Sequence, residues 1–227
     1  MTGRPGRLVP LVVGVAFLLL STATAQATSM LDFGIPSGGP GSISYDAGTG
    51  GSLVGVGIGV GDVSGLPGGP LAVPCVGCVL SFTTGALTGT TGDSWTFGGG
   101  LATTITITGS VPVAGVLLPG VLLSGHFGSV TVQQFGSTFN IAGASFFDTK
   151  DPVLLAYFGL PIVDYDGNFN ISFLAAGSPP GFFSSTSVLS GDVLNTPVPE
   201  PATLLLIGSG LVGLGYLGRR RTQHSAI

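Results

Sequence analysis

Asn168-Phe169-Asn170-Ile171-Ser172-Phe173-Leu174 alternates strictly between polar and apolar side chains up to its last residue. Successive side chains of a strand point to opposite faces. As a strand, the stretch puts Phe169, Ile171 and Phe173 inward and Asn168, Asn170 and Ser172 outward. A helix would set Ile171 on the far side from both phenylalanines and could bury no common face.

The same signature recurs on either side. Thr103 to Thr108 sets Ile105 and Ile107 against Thr104, Thr106 and Thr108, and Ser129 to Phe135 sets Val130 and Val132 against Thr131 and Gln133. Ser42–Tyr45, Val79–Thr83, Ser94–Phe97, Val121–Phe127, Thr138–Phe147 and Ser185–Leu194 are further strand candidates, with glycines or polar turns at their junctions. Leu53 to Val60 places Val54, Val56, Ile58 and Val60 on one face and Gly55, Gly57 and Gly59 on the other. That bare face admits a neighbouring backbone or simply weakens the strand. Asp151 as N-cap, Pro152 in the first turn and Gly159 as stop frame a two-turn helix over Val153 to Phe158, with a strand or buried loop as the rival reading. The whole predicts a single all-β domain, an antiparallel β-sandwich or barrel-like fold.

Composition narrows what this domain does. Residues 28–196 hold 33 glycines in 169 residues without periodicity, which favours turns and excludes collagen. They hold one base, Lys150, against nine aspartates, a net charge of −8. One lysine cannot neutralise a phosphate backbone, so nucleic acid is excluded as a partner, and anionic phosphate substrates are disfavoured. The only glutamate in the chain is Glu200, and all five arginines lie outside this span.

Three constellations carry candidate chemistry. Cys75-Val76-Gly77-Cys78 is the only cysteine pair. An exported chain meets an oxidising compartment, and no second pair completes a four-ligand zinc site, so the reading is a structural disulfide closing a tight loop. A redox pair, free thiols and a metal site are the alternatives. Asp164-Tyr165-Asp166-Gly167-Asn168 places three oxygen side chains at alternate positions, as calcium-binding loops do. Asp164, Asp166 and Asn168 are therefore candidate calcium ligands, and a polar Asp/Gly turn is the plainer reading. Ser124 and His126 stand two residues apart, yet no nucleophile elbow orients them. No catalytic residue is assigned and no enzymatic activity is expected; the Thr104, Thr106 and Thr108 row reads as a solvated face.

The two ends read as addresses. Arg4 and Arg7 precede a 13-residue apolar stretch from Leu8 to Leu20, and Ala25-Gln26-Ala27 is a small-residue cleavage site, so residues 1–27 read as a secretory signal peptide. At the other end, Asn195-Thr196-Pro197 reads as a short linker. Val198-Pro199-Glu200-Pro201 follows, then a 17-residue apolar run from Ala202 to Gly218, then Arg219-Arg220-Arg221 and a short tail, 222–227. As a helix that run measures roughly 25 Å, slightly short of a hydrocarbon core of about 30 Å. It reads as a transmembrane helix with its arginines, and the tail, on the cytoplasmic side.

Residues 197–221 closely resemble the PEP-CTERM protein-sorting domain of Gram-negative bacteria, through Val198, Pro199, Glu200, Pro201, Ala202 and Thr203, the glycine-rich helix and the three arginines. The resemblance implies recognition by exosortase, a membrane-embedded cysteine protease-transpeptidase. It further implies passage through the inner membrane, transient anchoring there and delivery to the cell surface or extracellular matrix, often beside exopolysaccharide. For residues 28–196 it implies no chemistry. A carbohydrate-binding module, assisted by calcium at Asp164 and Asp166, is the alternative to a purely structural surface protein.

Overall fold

The computed structural model of the 227-residue chain describes residues 30–46, 51–66, 71–198 and Ser209. Residues 1–27, read above as a signal peptide, Pro199, Glu200 and Pro201, the run 202–218 read as a transmembrane helix (Ser209 apart), Arg219, Arg220 and Arg221, and the tail 222–227 lie outside the described residues.

The elements are β1 (Met30–Ile35), β2 (Ser42–Tyr45), β3 (Ser52–Leu66), β4 (Val73–Thr91), β5 (Ser94–Gly98), β6 (Thr104–Val113), β7 (Val116–Phe135), β8 (Thr138–Lys150), α1 (Pro152–Tyr157), β9 (Tyr165–Leu174), β10 (Phe183–Ser185) and β11 (Ser187–Pro197). Every pairing among them is antiparallel, as the alternating pattern predicts. The ladders run from β3 through β1, β11, β9, β8, β7, β6 and β4 and return to β3. Strand β5 fits between the far ends of β4 and β7, and β2 with β10 extends the first half of β3.

The core lies on the inward face of this sheet. Phe169, Ile171, Phe173, Ile105, Ile107, Val130 and Val132 are all fully buried, as their alternation requires. Two aromatic clusters fill it. Trp95 stacks on Phe139 at 5.5 Å and meets Phe183 edge-on at 5.1 Å, while its indole N–H donates to the Gly181 carbonyl at 3.1 Å. Phe82, Phe127, Phe146 and Phe169 form the second, with Phe82 and Phe169 5.2 Å apart. Such ring pairs stabilise by about 0.5–1.5 kcal/mol beyond the area they bury.

The glycine-rich strand differs from its expected reading. Val54 and Val56 face outward, Val56 being 56 % exposed, whereas Ile58 and Val60 are buried. The cause is a bulge: Gly57 has φ of 64°, and the register to β4 shifts between Gly55 and Ile58. One extra residue reverses which face each later side chain takes. The bare inner face at Gly55 is covered by the ring of Phe82, its direct cross-strand partner. Gly167 is covered by Phe146 in the same way. A flat glycine on one strand and a large ring on the next fill the core together.

Three further corrections concern boundaries. The two candidates on either side of Gly128 form one long strand, β7, with register shifts around Ser129. The closing run from Ser185 divides into β10 and β11. Asn195-Thr196-Pro197 is no linker: these residues pair with Gly167, Asp166 and Tyr165 of β9. Asn195 is fully buried, its amide donating to the carbonyls of Leu31 and Val193. The helix forms as framed, with the Asp151 carboxylate accepting from the amides of Val153 at 2.7 Å and Leu154 at 3.2 Å.

Candidate functional site

At one end of the domain, β7, β8 and β9 lie side by side, and their register brings the polar candidates together. Gly125 pairs with Asp148, Asp148 with Tyr165, and Tyr165 with Pro197. A cleft of ≈ 780 Å³ opens beside this line, with Ser124, His126, Phe147, Asp148, Asp164 and Asp166 in its lining. Phe147 is half exposed, and the His126 ring packs on it at 5.6 Å. Among the described residues no hydrogen bond joins His126 to Ser124 or to a carboxylate. His126 has instead an aromatic neighbour.

The strongest electrostatic feature of the cleft is one the sequence reading missed. Asp148 and Lys150 stand two apart on β8, on its buried face, and form a salt bridge with both side chains fully buried. The Lys150 ammonium also sits over the Tyr165 ring, 3.8 Å from its centroid, and the Tyr165 hydroxyl donates to the Pro161 carbonyl at 2.7 Å. Burial pushes the Asp148 carboxyl up to about 6 against the pull of Lys150, with Asp164 and Asp166 adding to the rise. Burial holds Lys150 down at about 8 despite Asp148. Both groups are therefore charged between about pH 6 and 8. The second carboxylate oxygen of Asp148 has no hydrogen-bond partner. The sole base of residues 28–196 is thus spent inside the fold, and the described surface presents aspartates without a competing lysine. The only local signal was the spacing: positions two apart on a strand share a face.

The calcium candidates take a different arrangement from a loop. Asp166 and Asn168 project from the outer face of β9, opposite Phe147 and Ser145 of β8, and Asp164 immediately precedes the strand. A strand holds alternate side chains about 7 Å apart, where a loop curls them round one point. Among the described residues no group of three or more His, Cys, Asp or Glu side chains is placed to hold a metal ion. Cys75 and Cys78 are joined as a disulfide with Cα atoms 5.4 Å apart, closing a bulge of β4. A loop this short gains only about 2 kcal/mol from its cross-link by chain entropy.

The sorting residues begin at this same end. Strand β11 closes at Pro197, which has no N–H for a further ladder bond, and the Val198 amide donates to the Asp164 carbonyl at 3.0 Å. Val198 lines the cleft. Ser209, within the apolar run, is helical, and among the described residues no helix is long and apolar enough to cross a membrane.

No curated protein and no solved structure matches the chain. Residues 197–221 do match a family model, that of the PEP-CTERM protein-sorting motif, starting at the last residue of β11. The chain thus carries the sorting signal of exosortase substrates, joined without a spacer to an antiparallel β-domain.

Proposed function

We propose that this protein is a structural component of the cell surface or extracellular matrix. In this reading exosortase acts at the 197–221 signal and sets free the β-domain, which is the delivered cargo and has no catalytic role. Residues 202–218 hold the chain in the inner membrane until then. The carrying observation is the coincidence of two boundaries: the motif match begins where the last strand ends. Cleavage beyond Val198 therefore leaves every ladder of the domain intact. The ring of ladders supports a barrel-like description over two separate sheets.

Exchanging Glu200 for Ala removes the only glutamate of the chain and leaves the domain untouched. In cells with a working exosortase, most of the variant is expected to stay in the membrane fraction while the parent chain is released. Equal release of the two would remove the sorting role from Glu200.

One feature of the cleft favours a second role, binding of neutral polysaccharide. A half-exposed phenylalanine offers a face for sugar C–H groups, and Asp164 and Asp166 beside it accept from hydroxyls. In native gels cast with exopolysaccharide, the parent protein should be retarded and Phe147→Ala should not. An unretarded parent protein ends this reading.

A further inference from the structure

We propose that the β6–β7 hairpin is a second membrane contact, resting on the bilayer that holds residues 202–218. The inference depends on the anchoring read above.

The register fixes which end of the domain the hairpin leaves from. Strand β8 ends at Lys150, opposite Leu123, so residues 116–122 of β7 run on beyond it, roughly 23 Å of strand. They run in the direction in which β11 ends and Val198 departs. Three residues, Pro199, Glu200 and Pro201, separate Val198 from the apolar run. Fully extended, they let Ala202 lie at most about 14 Å from Val198. The overhang of the hairpin exceeds the reach of the tether. With Ala202 at the bilayer, the hairpin meets the surface.

The chemistry of the hairpin suits that contact. No Asp, Glu, Lys or Arg occurs from Ser94 to Phe147. Val116 is 71 % exposed, and Leu117 and Val121 are more than half exposed. Two-residue hairpin turns with both φ angles positive favour Asn-Gly or Asp-Gly. Here the turn is Ala114-Gly115, with φ of 51° and 82°. Ala114 accepts a left-handed backbone where Asn would sit more easily, and the tip stays free of polar side chains. A bilayer interface rewards such a tip, while water does not. The outward aspartates of the same end, Asp164 and Asp166, favour zwitterionic over anionic lipid.

The test uses the full chain in vesicles of phosphatidylethanolamine and phosphatidylcholine, carrying an environment-sensitive fluorophore at Leu117→Cys. The native cysteines are disulfide-bonded, so the added thiol is the reactive one. Lipids brominated near the headgroup should quench this label several-fold more than one at Ser137→Cys, which sits in the turn between β7 and β8 at the opposite end. Equal quenching at the two sites, with the chain floating with the vesicles, overturns the hairpin contact and leaves the anchor standing. A chain that does not float overturns both. A label shielded in detergent in proportion to protein concentration assigns the hairpin to a second copy instead. Amide exchange in the unlabelled chain covers disturbance by the dye. Exchange across 114–118 slowed on vesicles supports the contact, and exchange as fast as at Gly136 and Ser137 overturns it.

Discussion

Lys150→Met is expected to destabilise the domain by about 3–5 kcal/mol at pH 7, because it strands a buried carboxylate. Asp148 already has one oxygen without a partner, and its other oxygen is held by Lys150. Removing the ammonium takes away both influences that lower the carboxyl and leaves burial, Asp164 and Asp166, which raise it. The cost should therefore depend on pH. In the parent protein the folded state holds the Asp148 proton more tightly than the unfolded chain does. That carboxyl's contribution is full below its ordinary 3.8 and is lost as pH rises through about 6. Lys150 acts in the opposite sense. Its folded form binds the proton less tightly than the unfolded chain, so its contribution grows as pH rises from about 8 toward 10.5. At pH 5 the parent buries a neutral Asp148 beside a lysine without its anion, and the gap to Lys150→Met narrows. Asp148→Leu combined with Lys150→Met should recover the parent stability to within about 1 kcal/mol, since apolar pairs replace buried ion pairs at little cost. Urea melts at pH 5 and 7 on the parent and the two variants check this. A single-variant cost under about 1 kcal/mol that does not change with pH would mean that water reaches the pair.

The fold was readable where one face of a strand is wet and the other dry. Around Asn168 and Thr104 the outer residues are Asn, Ser and Thr and the inner ones Phe and Ile, so period 2 stands out. It fails where both faces are apolar. Ser110 to Gly120 gives no alternation because the β6–β7 hairpin carries Val, Leu, Pro and Gly on both sides, so the parts of its two strands beyond Thr108 and before Val121 went unread. Met30–Ile35 does alternate, with Leu31, Phe33 and Ile35 buried, but Gly34 and the following Pro/Gly run masked it. The face reversal at Gly57 needs a backbone angle that composition does not encode. Asn195 and Pro197 are turn-forming types by propensity, and tertiary pairing overrode that preference. For the site, the disulfide and the sorting residues were legible because covalent chemistry and a linear signal live in short spacings. The cleft was not, since β7, β8 and β9 bring its residues together across the sheet, and nothing in Asp148-Thr149-Lys150 announces that both charges point inward.

Gly167→Ala is expected to cost about 3 kcal/mol, an effect far beyond what one methyl group does on a strand surface. A Cβ at this position would fall inside the ring of Phe146, its direct partner on β8. The ring has no room to retreat. Phe146 is 1 % exposed and packs against Phe127 at 6.1 Å and Phe169 at 6.3 Å, which touch each other in turn. Close-packed interiors transmit such a displacement instead of absorbing it. Gly89 supplies the control. It lies in β4 with nothing within 4 Å of its would-be Cβ, and Gly89→Ala should stay within about 0.5 kcal/mol of the parent. A double-mutant cycle isolates the cause. Phe146→Leu shortens the side chain that covers the glycine, so in that background Gly167→Ala should cost at least about 1 kcal/mol less than it does alone. An unchanged cost would locate the penalty in the backbone of β9 and not in the ring. The same reasoning applies at Gly55, where Phe82 occupies the bare face. The two glycines and two rings then stand as matched halves of one core layer: the glycine content that weakens each strand singly is what allows four phenylalanines to meet inside the sheet.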